Sequence, residues 1–416
     1  MQEPRALVQA MTLEEKVAQM FFVGFKETEL PERYAAWFER QGLGGVILFT
    51  RNVKSPDQVR ALTAAMQGAA RRSRQGLPLA IAIDQEGGTV VRMDEPSGYT
   101  HFPSNMAMGA ADDETLTYRS ALVMATEMRA VGLNWNYAPV LDVNNNPLNP
   151  VIGVRSYGAS PELVARHGVA AVRGFQAGGV AACAKHFPGH GDTSVDSHLA
   201  LPVIPHDRNR LNAVELLPFR EAIKAGLDSI MTAHVFFPAL EPEAGRPATL
   251  SRNVMTGLLR EELGFDGVIC SDCLEMKAIA DNFMPDQIVR FAVDAGVDAL
   301  LVSHTWETQQ VLFEALLQAV RSGRISEERI AQSAYRIVRM KQNRQMAMQM
   351  PGDIGTPEHK AVALEAARKA VTLVRGADQL PLAGKVMLVL PRVVWFAQVE
   401  DSRTVLAGLL GALNGA

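Results

Sequence analysis

Three cysteines, Cys183, Cys270 and Cys273, are all that 416 residues contain. So few exclude a disulfide framework, and their spacing matches no common zinc site. Cys270 lies in an apolar run and is expected in the core. Long apolar stretches are missing too. No segment is long enough to span a bilayer, and residues 1–5 lack the basic and apolar regions of a signal peptide. A cytoplasmic protein without a membrane partner is therefore expected. Charge of one sign is not in excess: the net charge is −4, which gives no electrostatic reason for nucleic-acid binding. The basic run Arg71-Arg72-Ser73-Arg74 is short and reads as a solvated helix end. There is no Gly-x-Gly-x-x-Gly stretch, no internal repeat and no low-complexity segment.

What remains is ample core-forming material, 48% hydrophobic against 21% charged residues, as in a soluble globular protein. Short apolar runs alternate with helical spacing. Strands are predicted at 20–25, 45–49, 79–84, 134–142, 181–187, 229–234, 267–272 and 299–304. Helices are predicted between them, at 31–41, 57–73, 115–131, 161–177, 212–225, 254–263 and 286–295, several followed by glycine. About eight βα units predict an α/β fold, a (β/α)8 TIM barrel, over a doubly wound open sheet. Helices at 308–322 and 327–346 complete a catalytic unit over 1–350. A linker and partial α/β segment follow over 351–416, with a helix at 361–371, a strand at 385–391 and a helix at 405–413.

In such barrels the chemistry gathers at the C-terminal ends of the strands, and there the polar residues collect. The third strand leads into Asp84-Gln85-Glu86-Gly87-Gly88 and Arg92, and Arg155 follows the fourth. The fifth ends in Lys185-His186, the sixth in His234, and the seventh in Ser271-Asp272. Asp84 can accept two hydroxyl hydrogen bonds and arginine offers a planar fork. These residues, with Lys185 and His186, read either as holders of a sugar ring or as an ion-pair network at the rim. Asp272 reads either as a reactive carboxylate or as the cap of a helix over 274–280. Asp196-Ser197-His198 sets a carboxylate beside an imidazole that trades protons near neutrality, or a solvated loop histidine. His186, His190, Asp192, Asp196 and His198 are all metal-ligand types, but no clean ligand spacing links them.

The runs Asp84-Gln85-Glu86-Gly87-Gly88-x-x-x-Arg92, Ala138-Pro139-Val140-Leu141-Asp142-Val143, Lys185-His186-Phe187-Pro188-Gly189-His190-Gly191-Asp192, Asp196-Ser197-His198, Met231-Thr232-Ala233-His234 and Ser271-Asp272-x-Leu274-x-Met276 together resemble bacterial β-N-acetylglucosaminidases of glycoside hydrolase family 3. The resemblance runs from about residue 13 to about residue 382. It implies a retaining exo-glycosidase that removes terminal N-acetyl-β-D-glucosamine from a small carbohydrate substrate, with muropeptides of the cell wall as the natural source. In it Asp272 matches the nucleophile, His198 the acid/base and Asp196 its partner. Asp84, Arg92, Arg155, Lys185 and His186 match the sugar-binding residues of the −1 subsite, and no metal or organic cofactor is implied. Because a neutral histidine would not repel phosphate as a carboxylate would, a β-N-acetylglucosaminide phosphorylase is the alternative. A non-catalytic sugar-binding protein and a metal-dependent barrel hydrolase are lesser ones. Gly189 and Gly191 are expected to let the loop carrying His198 swing. Cys273 departs from the pattern and is either a space filler or a target of thiol reagents. The segment 367–382 resembles the entry to the α/β sandwich of two-domain relatives, truncated here.

Overall fold

The computed structural model describes residues 3–197, 200–348 and 350–379. Eight short strands form one parallel sheet: β1 (Phe21–Val23), β2 (Gly45–Leu48), β3 (Ala80–Ile83), β4 (Trp135–Asn136), β5 (Ala181–Phe187), β6 (Ser229–Thr232), β7 (Val268–Cys270) and β8 (Leu300–Val302). Each pairs with its sequence neighbour from β1 to β7, and β8 returns to β1 in the register Phe21↔Leu300. The last joint, between β7 and β8, is a single bridge, Cys270↔Ala299. Ser271 reinforces it: its N–H donates to the Ala299 carbonyl at 2.9 Å, and its hydroxyl accepts the Leu301 N–H at 3.0 Å. This is the expected (β/α)8 barrel.

The strands are buried along their whole length, as parallel strands covered on both faces must be. Phe22 on β1 meets Trp135 on β4 at 5.1 Å. These strands are not neighbours, so the contact crosses the barrel interior. Trp135 also donates its indole N–H to Ser229 Oγ on β6 at 2.8 Å, which satisfies a buried polar atom. Gly45 makes room for Phe22, since a Cβ there would stand 2.4 Å from the ring. Cys183 and Cys270 are free, buried thiols 3.5 Å apart. The helix Pro56–Arg71 illustrates the outer layer. Ser55 caps it, Pro56 opens it, and Val59, Leu62, Thr63, Met66 and Ala70 form the buried stripe.

Three elements differ from their predicted form. The strand over 134–142 is ordered as β4 for two residues only, and contact with β5 resumes as the single bridge Val140↔Lys185; the peptide before Pro139 is cis. The helix over 212–225 is two helices, Arg208–Ala213 and Leu217–Lys224, with Pro218 in the first turn of the second. The helix over 274–280 shrinks to Lys277–Ala280. Helix Pro357–Lys369 is pinned to the barrel by Glu127, whose Oε1 accepts the Gly355 N–H at 2.9 Å and meets His359 Nδ1 at 2.8 Å. The strand expected at 385–391 and the helix at 405–413 lie outside the described residues. Among the described residues no helix is long and apolar enough to cross a membrane.

At the N-terminal foot of the barrel Lys341 is 1% exposed and donates to Gln19 Oε1 at 2.8 Å. Burial pushes its ammonium down to about 7. The folded state therefore binds fewer protons than the unfolded chain between about pH 7 and the ordinary lysine value, so stability from this group rises with pH across that window. Lys341→Met should stabilise the protein at pH 6 by a few kcal/mol and should lose that advantage near pH 10. Denaturant midpoints at both pH values test this; equal midpoints for variant and parent at pH 6 would refute it.

Candidate active site

The C-terminal ends of the strands deliver titratable side chains to one mouth. β3 leads into Asp84 and Glu86, β5 ends in Lys185-His186-Phe187, and Asp272 stands two residues past β7. Lys185 donates to Asp84 Oδ1 at 2.7 Å and lies 2.6 Å from Glu86 Oε1. Arg155, from the loop after β4, clasps Glu86 in a fork, with Nε to Oε2 at 2.9 Å and Nη2 to Oε1 at 2.8 Å. Its third nitrogen donates to the Val151 carbonyl at 3.2 Å. Arg92 Nη2 stands 3.8 Å from Asp84 Oδ2, too far for a hydrogen bond. Gln85 holds Arg92 in place, its amide oxygen accepting the N–H groups of Arg92 and Met93 at 3.1 and 3.0 Å. The ion-pair network that the sequence suggested exists, and Asp84 Oδ2 and the Arg92 fork are its least saturated edge.

Electrostatics keeps the cluster charged. Burial opposes ionisation of Glu86, but the charges of Arg155 and Lys185 hold its carboxyl far below the usual range. Burial also opposes the charge on Lys185, and Asp84 and Glu86 overcome it, raising the ammonium above its ordinary value.

A second hub is Asp142, completely buried beyond β4. Its Oδ1 accepts the backbone N–H groups of His186 at 3.1 Å and His190 at 2.7 Å, and its Oδ2 pairs with His186 Nδ1 at 2.7 Å. Burial works against its charge, yet the His186 ring and amide hold it below the ordinary carboxylate range. One carboxylate therefore fixes both the ring orientation of His186 and the course of the chain at His190.

Asp272 is half-buried, and its Oδ1 accepts the Cys273 N–H at 2.7 Å. It does not cap the following helix, whose N-cap position is Met276. Tyr137 lies beneath the mouth. Burial holds its hydroxyl protonated, and the charges of Asp84 and Asp272 act on it as well. Asp272 and Lys185 likewise both act on the buried Cys270. The structure thus brings Asp84, Arg92 and Lys185 together, with Arg155 joined to them through Glu86; Asp272 shares with Asp84 an influence on Tyr137 and with Lys185 one on Cys270, and His186 is held separately by Asp142. Asp196 is buried in the loop after β5, and His198 lies outside the described residues.

Glu86 and Asp142 carry the two hubs but had no role in the sequence reading. A carboxylate at the end of an apolar run is their one sequence signal. Cys273 is buried and its thiol is pushed up to about 12, which favours the space-filling reading over the thiol-reagent one. Gly191 has a packing role as well: a Cβ there would lie 1.9 Å from the Val143 carbonyl oxygen, so this glycine permits close packing of two backbones. Of the metal-ligand types, His186 is engaged by Asp142, and His190 by Thr193 and Ser197. Asp192 groups with His206 and Glu215, their ligand atoms within 4.8 Å of one another. Arg210 already stands there, 3.2 Å from Glu215 Oε1 and 3.9 Å from Asp192 Oδ2.

Residues 12–340 match the family model described as the glycosyl hydrolase family 3 N terminal domain. Beta-hexosaminidase A of Pseudoalteromonas piscicida is 39% identical over 385 residues, 87% of this chain and 64% of that protein. The chain thus spans just under two thirds of that relative. Beta-hexosaminidase of Stenotrophomonas maltophilia is 40% identical over 291 residues, 68% of this chain and 83% of that protein. A family 3 β-N-acetylglucosaminidase from Paenibacillus sp. str. FPU-7 superimposes with a TM-score of 0.85 at 49% identity, over 91% of this chain and 72% of its own. With a barrel of this topology and a family match over most of its length, the chain belongs to glycoside hydrolase family 3.

Proposed function

We propose that the chain is a retaining exo-glycosidase that releases terminal N-acetyl-β-D-glucosamine, with Asp272 as nucleophile and His198, partnered by Asp196, as acid/base. The observation that carries this reading is the Lys185–Asp84–Glu86–Arg155 network, pre-built and charged beside Asp272. Such a cluster holds a polyhydroxylated ring without reorganising, which directs binding energy to the reacting centre. Asp84 Oδ2 and Arg92 face the ring hydroxyls, Lys185 and His186 add donors, and Arg155 serves by fixing Glu86 and offers its remaining N–H.

Asp272 attacks the anomeric carbon as the glycosidic C–O bond breaks, and His198 gives its proton to the departing oxygen. The resulting glycosyl ester is then cleaved by water, whose proton returns to His198 and whose oxygen ends on the sugar, restoring the original anomeric configuration. A histidine in the acid/base role departs from the usual pair of carboxylates. Muropeptides of the cytoplasm are the substrate source we infer from the family resemblance; the relatives named β-hexosaminidase support the hexosaminide specificity.

Release of p-nitrophenol from its N-acetyl-β-D-glucosaminide tests this, in EDTA, with and without phosphate. Chelator-resistant hydrolysis to free N-acetylglucosamine is expected. Sugar 1-phosphate as the main product would replace the hydrolase with a phosphorylase. Chelator-sensitive turnover would indicate a metal-dependent hydrolase, and sugar binding without turnover a binding protein.

A further inference from the structure

His190 is 3% exposed and every polar atom it owns is engaged. Its N–H donates to Asp142 Oδ1 at 2.7 Å, and its carbonyl accepts from Asn149 Nδ2 at 2.8 Å. Its Nδ1 lies 2.8 Å from Thr193 Oγ1 and its Nε2 3.1 Å from Ser197 Oγ. The ring also stands edge-on to His186, with centroids 5.8 Å apart. Burial pushes the imidazole down to about 4, with the charge of His186 acting in the same direction and Asp142 opposing it.

A neutral imidazole has one donor and one acceptor. Asn149 Nδ2 donates to Thr193 Oγ1 at 3.3 Å. The Thr193 hydroxyl has one proton to give, to Nδ1 or to the His190 carbonyl at 3.2 Å; with either tautomer one ring nitrogen donates and the other accepts, so the ring joins Thr193 to Ser197. The ring becomes a spacer of fixed length between residue 193 and residue 197. Asp196 is the inner neighbour of Ser197, and His198 the outer one. The backbone that carries the ring is held by Asp142, which accepts the His190 N–H and also orients His186. A sugar-binding ring and the acid/base segment are therefore referenced to one buried carboxylate.

We propose that His190 is a positioning residue, and that its bridge from Thr193 to Ser197 holds the chain at Asp196, the proposed partner of the acid/base. This rests on the reading of His198 as the acid/base. A group that places the acid matters most when the leaving group needs a proton. It matters little when the leaving group departs readily as an anion.

The experiment compares an N-acetylglucosamine disaccharide with the 2,4-dinitrophenyl glycoside as substrates for wild type, His190→Phe, His190→Gln and Ser197→Ala. His190→Phe keeps the ring shape and loses both bonds; His190→Gln keeps an amide able to reach Ser197. For His190→Phe the disaccharide kcat should fall about 100-fold, and kcat for formation of the glycosyl-enzyme from the dinitrophenyl glycoside less than about fivefold. Inhibition by free N-acetylglucosamine should be unchanged, since the −1 subsite is intact. His190→Gln should recover part of the loss, and Ser197→Ala should show a milder form of the same leaving-group dependence. Equal losses on both substrates, or losses confined to KM, would overturn the positioning role while leaving the glycosidase reading in place. A wild type inactive on both substrates would overturn the glycosidase reading and this inference with it.

Discussion

Asp272→Asn should lower turnover of aryl N-acetyl-β-D-glucosaminides by at least about 10⁴-fold while leaving binding of free sugar nearly unchanged. A covalent route has no substitute for its nucleophile, and losses of this size follow when an attacking group is removed. The neighbourhood offers no replacement. Glu275, three residues on, already accepts the N–H groups of His304 and Thr305 at 2.7 and 2.9 Å. Asp84 is held by Lys185, and Glu86 is enclosed by Arg155 and Lys185. Labelling wild type with a slow fluorinated N-acetylglucosaminide and sequencing the modified peptide locates the ester directly. Label on Asp272 is expected. Label on another carboxylate, or an Asn variant within tenfold of wild type, would remove Asp272 from the mechanism.

The largest effect on stability is expected from Asp298→Ala, at the opposite end of the barrel. Asp298 is 0% exposed. Arg260, Arg329 and Arg336 converge on it, Ser333 Oγ donates to it at 2.6 Å, and the Ile269 N–H donates at 3.1 Å. Burial alone would raise its carboxyl; the three guanidinium groups outweigh that and lower it. Removing the carboxylate leaves partly buried cations without a counter-charge, which costs about 3–5 kcal/mol. The pH dependence carries a sign. A depressed carboxyl contributes its stability above the ordinary aspartate range and loses it as pH falls through the folded value. The gap between wild type and variant should therefore be full at pH 7 and should shrink below pH 4. Urea midpoints measure it, and turnover per folded molecule should be unchanged. A difference under about 1 kcal/mol at pH 7 would contradict the account.

Local pattern carried the barrel, because buried parallel strands write themselves as apolar runs and helices as stripes. It also placed Asp84, Lys185, His186 and Asp272 at strand ends, which is a matter of position along one chain. The two hubs were out of reach for a different reason. Glu86 matters because Arg155, 69 residues away, closes on it, and Asp142 because His186 and His190 fold back over it. Nothing within a few residues of either signals these partners. The packing role of Gly191 was out of reach on the same ground: the sequence does not show the Val143 backbone lying against it. Lys341 shows the reverse case. It sits in a helix rich in charge, and only tertiary packing reveals that it faces inward.

The single bridge between β7 and β8 has a consequence for how the molecule fails. The cylinder is a ribbon wrapped on itself and stitched along one edge, where Ser271 and the Ile269 carbonyl, which accepts the Asp298 and Ala299 N–H groups, are the stitches. Asp272 directly follows Ser271. Parting of that edge would move Asp272, the proposed nucleophile, while the other strand pairs keep their ladders. Under the proposed mechanism, activity should then be lost before the barrel is.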